Sequence, residues 1–265
     1  MKIRKPLTKA IAISLAILLL VPQGLIAQSE GGDKNFKQEE LDQLLAPIAL
    51  YQDSLLAQIL MASTYPLEVV QADRWVKQNK SLEGDALATA LEEQNWDPSV
   101  KSLVNFPQVL QMMGEKLDWT QKLGDAFLAQ QKGVMDTIQN LRKKADAEGN
   151  LKTTKEQKVI VEKETQTIVI ESANPDVVYV PAYNPTVVYG TWWYPSYPPY
   201  YYYPPGYVAG AALLSFGVGV AVGAQEAAGD VLGLVGAHLE EEGKPIAAVA
   251  LGARGRNLAL LVPVA

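Results

Sequence analysis

Asn174-Pro175-Asp176-Val177-Val178-Tyr179 is followed ten residues later by a near copy, Asn184-Pro185-Thr186-Val187-Val188-Tyr189. Asn before Pro favours an extended or turn backbone, which sets the entry to each unit. Val-Val-Tyr is β-prone. The period equals one strand plus one turn, so the pair predicts two strands of a meander, 177–180 and 187–189, with a turn over 181–185. Two copies are too few for a solenoid. Just upstream, Val159 and Val161 alternate with Ile160 and Glu162, and Ile168 and Ile170 with Thr167, Val169 and Glu171. With Lys163-Glu164-Thr165 between them, these runs predict a hairpin. A small β module over 155–190 follows, docked on helices. Its alternative role is a peptide-binding edge, because a short sheet leaves an edge open to strand addition.

Upstream of the module the period changes from two to about 3.6. Leu41, Leu44, Leu45 and Ile48 share one helical face, and Leu55, Leu56, Ile59 and Leu60 continue the pattern beyond Pro47. Tyr65, Val69, Ala72 and Val76 form the next stripe, with Pro66 near its start. Leu87, Ala90 and Leu91 mark a short helix after Gly84-Asp85. Asp97-Pro98 reads as a cap followed by a first-turn proline, and Pro107 as another start. Asp118 with Gln121 resembles a capping box that opens the longest helix, ending at Gly149 with Arg142, Lys143 and Lys144 in its last turns. The expectation is a bundle of five to seven helices over 36–149.

The chain has 265 residues, a net charge of −6, one histidine and no cysteine. Its acidity argues against nucleic acid as a partner. The lack of cysteine removes disulfides, Cys-ligated zinc and thiol nucleophiles. With His238 as the sole histidine, a Ser-His-Asp triad and a histidine metal site are not expected, and neither is a cofactor. Residues 1–27 read as a secretory signal peptide: Lys2, Arg4, Lys5 and Lys9, then an apolar run, then Ala27 at the cut. The alternative is an uncleaved inner-membrane anchor. Removing the four basic residues takes the charge from −6 to −10.

Glu68, Asp73, Glu92 and Glu93 are the carboxylates available for a glycan-hydrolase pair, although acidic helices carry such residues as solvated surface. Trp75 and Trp96 read as core anchors.

Beyond the module, 191–207 is nearly all Trp, Tyr, Pro and Gly. It is either a stiff spacer or strap over the surface, or an adhesive strip with Trp192, Trp193, Tyr194, Tyr197 and Tyr200 as partner-binding anchors. As polyproline II it would span about 50 Å. Residues 208–224 are apolar and Gly-rich, with G-x-x-x-G pairs that permit close packing in a membrane or oligomerisation. The spacing Gly217, Gly219, Gly223 misses the dinucleotide fingerprint, and no βαβ context supports it.

Three stretches together resemble the bacterial domain-of-unknown-function family 3300, a group of exported envelope proteins of Gram-negative bacteria. They are Leu44-Leu45-Ala46-Pro47-Ile48-Ala49-Leu50-Tyr51, the run from Asp53 to Pro66, and Asn95-Trp96-Asp97-Pro98-Ser99-Val100; the paired Asn-Pro units add to them. The resemblance covers roughly residues 41–223 and brings no catalytic residue and no ligand. Gln52 stands where the family usually has Pro. It also implies Trp- and Gly-rich sequence after the apolar run, which this chain lacks. The reading frame is therefore expected to shift near Ala224, making 225–265 atypical.

The resulting expectation is an α+β chain: an N-terminal helical bundle, a small antiparallel β module, then a Tyr/Pro-rich and Gly-rich low-complexity tail. Functionally it is expected to be an exported, non-enzymatic binding or scaffolding module, periplasmic or outer-membrane associated. It would engage membrane, peptidoglycan or a protein through its aromatic and Gly-rich segments. The alternative is an envelope glycan hydrolase.

Overall fold

The structure, a computed structural model, describes residues 35–203, 214–216 and 220–221. The expected signal peptide, 1–27, and the tail after 221 lie outside the described residues. So do His238 and the expected frame junction.

Among the described residues, eight helices precede the strands: α1 Gln38–Leu45, α2 Asp53–Ala62, α3 Pro66–Gln78, α4 Gly84–Glu92, α5 Pro98–Leu103, α6 Pro107–Glu115, α7 Leu117–Ala129 and α8 Gln131–Ala147. Their starts follow local chemistry. Pro66, Pro98 and Pro107 occupy first-turn positions, where the missing N–H costs nothing. The Asp97 carboxylate accepts from the Ser99 N–H at 2.8 Å, as the sequence predicts. Lys37 N–H donates to Glu40 Oε2 at 2.9 Å, which closes the start of α1. The count exceeds the five to seven expected because the longest predicted helix is two. Gln130 breaks it with φ −151° and ψ 58°, and Asp118 lies in the first turn of α7 rather than capping it. The Gln130 side chain explains the break: its Oε1 accepts from the Phe36 N–H at 2.8 Å and its Nε2 donates to the Phe36 carbonyl at 3.2 Å.

The strands are β1 Gln157–Val161, β2 Ile168–Ser172, β3 Val177–Val178, β4 Pro181–Tyr183, β5 Leu214–Phe216 and β6 Val220–Ala221. β1 and β2 form the predicted antiparallel hairpin, in register Gln157 to Ser172 and Val161 to Ile168. The meander does not form. β3 pairs with β6 and β4 with β5, both antiparallel, so the partners come from the Gly-rich run. The segment expected to be a turn, Pro181–Tyr183, is a strand. The segment expected to be a strand is the helical turn α9, Pro185–Val188.

Both Asn-Pro units start alike: Asn174 Oδ1 accepts from the Asp176 N–H at 3.1 Å, and Asn184 Oδ1 from the Thr186 N–H at 3.0 Å. Tertiary partners then separate them. Val177 and Val178 find β6, whereas Val188 and Tyr189 turn into the core. Local β-propensity is overridden in the second copy.

One buried cluster joins residues of α1, α2, α3 and α5 to α8 with Ile168, Ile170, Val178, Val180, Tyr183, Val188 and Tyr189. At its centre is the stretch 46–51, fully buried yet non-helical. Its backbone groups have no ladder, and burying them unpaired would be costly. Turn bonds take the N–H groups of Ala46, Ile48, Ala49 and Tyr51, onto the carbonyls of Asp42, Leu45, Leu45 and Ile48, and side chains take others. Trp119 Nε1 donates to the Leu44 carbonyl at 2.9 Å just upstream. Tyr183 and Tyr189 hydroxyls donate to the Ala46 carbonyl at 2.9 and 2.8 Å, and Tyr183 accepts from the Leu50 N–H at 3.3 Å. Arg142 Nε and Nη2 reach the Ala49 and Tyr51 carbonyls at 2.8 and 3.1 Å, and its Nη1 the Ile168 carbonyl at 2.8 Å. Burial raises the pKa of Tyr51, Tyr183 and Tyr189 well above the ordinary phenol value, so all three stay neutral and the Tyr183 and Tyr189 hydroxyls keep their protons to donate.

Candidate functional site

The five aromatic anchors predicted from sequence sit on a strap that runs from Gly190 to Tyr203 across the helical bundle. Gly190 opens it with φ +75°, and a Cβ there would lie 2.6 Å from Glu148 Oε1. Only glycine lets the chain leave α9 at that angle and that closely.

The strap is bonded down along its length. Trp193 Nε1 donates to Asp42 Oδ2 on α1 at 2.7 Å, and the Lys144 ammonium of α8 lies 3.9 Å from the Trp193 ring centroid, a cation–π contact. Trp192 stacks on Trp193 with centroids 4.3 Å apart and planes at 30°, and its Nε1 donates to the Tyr197 carbonyl at 2.8 Å. Tyr194 meets Trp193 edge-on at 6.2 Å. Gln43 Nε2 donates to the Pro198 carbonyl at 2.6 Å, and the Tyr200 N–H to the Gln43 carbonyl at 3.4 Å. Tyr202 ties the far end to the start of α6, donating to the Gln108 carbonyl at 2.6 Å; partial burial pushes its pKa up to about 12.

Trp192, Trp193, Tyr194, Tyr197 and Tyr200 are therefore brought together, each half-buried. The strap's exposed rings are two others, Tyr201 at 38% and Tyr203 at 39%. They lie 6.0 Å apart, beside Thr186, whose Oγ1 is 3.4 Å from the Tyr201 hydroxyl. Exposed Val187 follows Thr186 in α9. The sequence reading missed these rings because composition alone cannot say which tyrosines of a run face outward.

Asp42 and Lys144 were missed too, as was Arg142. A signal existed. Ile138, Leu141, Arg142 and Ala145 fall at i, i+3, i+4 and i+7, which places Arg142 on the apolar stripe rather than among the solvated basic residues of the last turns. Asp42 likewise lies between Leu41 and Leu45 on the buried side of α1. Burial raises its pKa, a shift opposed by hydrogen bonds from Gln38 and Trp193 and by the Lys144 charge.

The carboxylates considered for hydrolysis are each engaged separately. Glu68 Oε2 accepts from the Asp97 N–H at 2.6 Å, Asp73 pairs with Lys77 at 2.8 Å, and Glu92 and Glu93 are exposed at the end of α4. Trp75 and Trp96 are half-buried and pack edge to face at 6.0 Å, with the Trp96 N–H on Gln71 at 3.1 Å. Among the described residues, no group of three or more acidic or histidine side chains is placed to hold a metal. A shallow groove of about 380 Å³, lined by Ser63, Thr64, Pro66, Gln121, Gly124, Asp125 and Leu128, contains none of the residues predicted for a site.

The outer edge of β1 is covered. Thr153 Oγ1 accepts from the Val159 N–H at 2.9 Å and donates to its carbonyl at 3.3 Å. Thr154 bonds the Gln157 carbonyl through its own N–H at 2.9 Å and the Gln157 N–H through Oγ1 at 3.3 Å. A peptide strand adding to this edge would have to displace both threonines.

The comparisons with known proteins bear on the same stretch. A family model described as a protein of unknown function, DUF3300, matches residues 37–234. The chain belongs to this family. Its match takes in the whole bundle, the buried 46–51 hub, the strap and all six strands. A relative in Escherichia coli strain K12, the uncharacterized protein YacH, is 48% identical over 200 aligned residues. That match covers 64% of this chain and 32% of YacH, so the chain spans about a third of the relative's length. No solved structure matches. Among the described residues, no helix is long and apolar enough to cross a membrane.

Proposed function

We propose that this protein is an exported cell-envelope component, a non-enzymatic binding or scaffolding module that engages cell-wall glycan through its aromatic strap. The observation that carries the reading is the strap itself. Eight Trp and Tyr rings from Trp192 to Tyr203 lie half-buried or exposed on one surface segment, braced by hydrogen bonds to α1 and α6. Tyr and Trp combine an apolar face with a polar tip, which suits the alternating CH faces and hydroxyls of sugars. Charge favours glycan over lipid headgroups. The chain carries −6, and −10 once the basic leader residues are removed, which opposes approach to anionic lipid. The described part of the Gly-rich run, Leu214–Phe216 and Val220–Ala221, pairs as strands with β4 and β3, which favours the strap over this run as the binding element.

The test is fractionation of the native host with determination of the mature N-terminus, followed by co-sedimentation of the purified protein with cell-wall sacculi and, separately, with anionic lipid vesicles. The expected result is an N-terminus at Gln28 and pelleting with sacculi, lost when Trp192, Trp193, Tyr194, Tyr197 and Tyr200 become Ser while circular dichroism stays helical. Pelleting with vesicles alone would move the reading to the membrane. Unchanged sacculus binding by the five-fold variant would sink the role of these rings.

A further inference from the structure

We propose that the strap is a latch with a docked and a lifted state, and that the Trp192–Trp193 pair becomes available to glycan only when the strap lifts from α1 and α8. This rests on the glycan reading above and adds how the site is controlled. In the docked state Trp193 is fully engaged inside its own chain: its indole N–H is on Asp42, Lys144 lies over its ring and Trp192 stacks on it. A sugar ring would have to replace these contacts. Their number and position suit a reversible latch. The bonds that hold this part of the strap to α1 and α8 are Trp193 to Asp42 and the two contacts of Gln43, with Lys144 as a charge contact. Gln43 and Lys144 lie at the bundle surface, and Asp42, buried on α1, is covered by the strap itself; all lie outside the 46–51 hub.

Lifting also leaves no bundle group stranded. Asp42 Oδ1 keeps its bond from Gln38 Nε2 at 2.6 Å, and Lys144, whose charge already acts on Asp42, remains to face the carboxylate as Trp193 departs. Gln43 and Lys144 can turn to water. Meanwhile Tyr202 holds the far end at Gln108 and Gly190 is a natural pivot at the near end. Lifting the segment between them exposes apolar surface that Trp192, Trp193, Tyr200 and buried Pro199 cover on the core, so the lifted state is the minor one and glycan is what draws it out.

A cysteine-free chain allows a clean test. Gln43→Cys with Pro198→Cys, bridged by a short reducible thiol crosslinker, ties the strap to α1 in the full chain. Sacculus co-sedimentation is compared for the locked form, the same molecules after reduction, and the parent. The expected result is binding by the reduced form at or above the parent level, since Gln43→Cys removes one latch contact, and at least tenfold less by the locked form. A second variant, Asp42→Ala, removes the acceptor of Trp193 and is expected to raise the bound fraction severalfold over the parent. Equal binding by locked and reduced forms overturns the latch while leaving the glycan reading in place, and so does unchanged or weaker binding by Asp42→Ala. Failure of the parent, reduced and locked forms alike to bind removes the glycan reading and the latch with it.

Discussion

Arg142 Nη2 lies 2.6 Å from Asp53 Oδ1, both side chains almost wholly buried, yet the pair is not an aligned hydrogen bond. The guanidinium directs its N–H groups at three carbonyls, those of Ala49, Tyr51 and Ile168, and meets the carboxylate as a charge. A planar donor fork is the one side chain that satisfies so many separate carbonyls from a single helix position. Replacing Arg142 by Met should cost about 3–5 kcal/mol, because it leaves both the carbonyls and Asp53 unpaired. Lys should rescue little. Urea unfolding of R142M, R142K, D53L and the R142M/D53L double variant checks this. The double variant should lose less than the sum of the singles.

Burial holds the Asp53 carboxyl above its ordinary range, with desolvation outweighing the Arg142 charge. Between the ordinary carboxylate value of about 3.9 and the raised native value, the native state binds more protons than the unfolded state. Stability contributed through this group therefore rises as pH falls through that window. Relative to D53N, the wild type should gain at most ~1.4 kcal/mol per pH unit on going down through it. Denaturation midpoints of the two proteins across acidic pH measure the difference. A loss of wild-type stability relative to D53N on acidification would contradict the sign.

Tyr183 and Tyr189 share the Ala46 carbonyl, but Tyr183 alone also receives the Leu50 N–H. Y183F should therefore cost more than Y189F, about 1–3 against ~1 kcal/mol, since only the first leaves a buried N–H without its acceptor. Thermal or urea unfolding ranks the two.

Gly124 is where α7 crosses the end of α2: a Cβ there would lie 2.3 Å from the Ser63 carbonyl oxygen. Gly to Ala inside a helix ordinarily gains about 1 kcal/mol. Here backbone meets backbone, so G124A should instead destabilise by about 1–3 kcal/mol. The sign of the change, read from unfolding curves, decides between propensity and packing.

Legibility from the sequence divides along the same line as the physics. Helix starts at Pro66, Pro98 and Pro107 were readable because proline and its capping neighbours act within a few residues. The β1–β2 hairpin was readable because alternation and turn lie side by side. The meander was misread because β3 and β4 find partners in 214–221, and no local pattern announces a distant strand. The break at Gln130 was hidden for the same reason: its cause is a bond to Phe36, at the far end of the chain. Of the candidate site, the aromatic strip was legible as composition. The half-buried state of Trp193 was not, since it depends on Asp42 and Lys144 from two different helices. Arg142 had a legible periodicity that its basic neighbours obscured.

The pairing of Val177–Val178 with Val220–Ala221, and of Pro181–Tyr183 with Leu214–Phe216, sets an order in time. A chain made from its N-terminus brings out the helices and the β1–β2 hairpin first, and their local contacts form quickly. Val177 and Pro181 then wait, edges unpaired, until the Gly-rich run emerges some forty residues later. During that interval the chain is a nearly finished body with two open strand edges. Its risk of misassociation is greatest in that interval, before 214–221 arrive to cover the two edges.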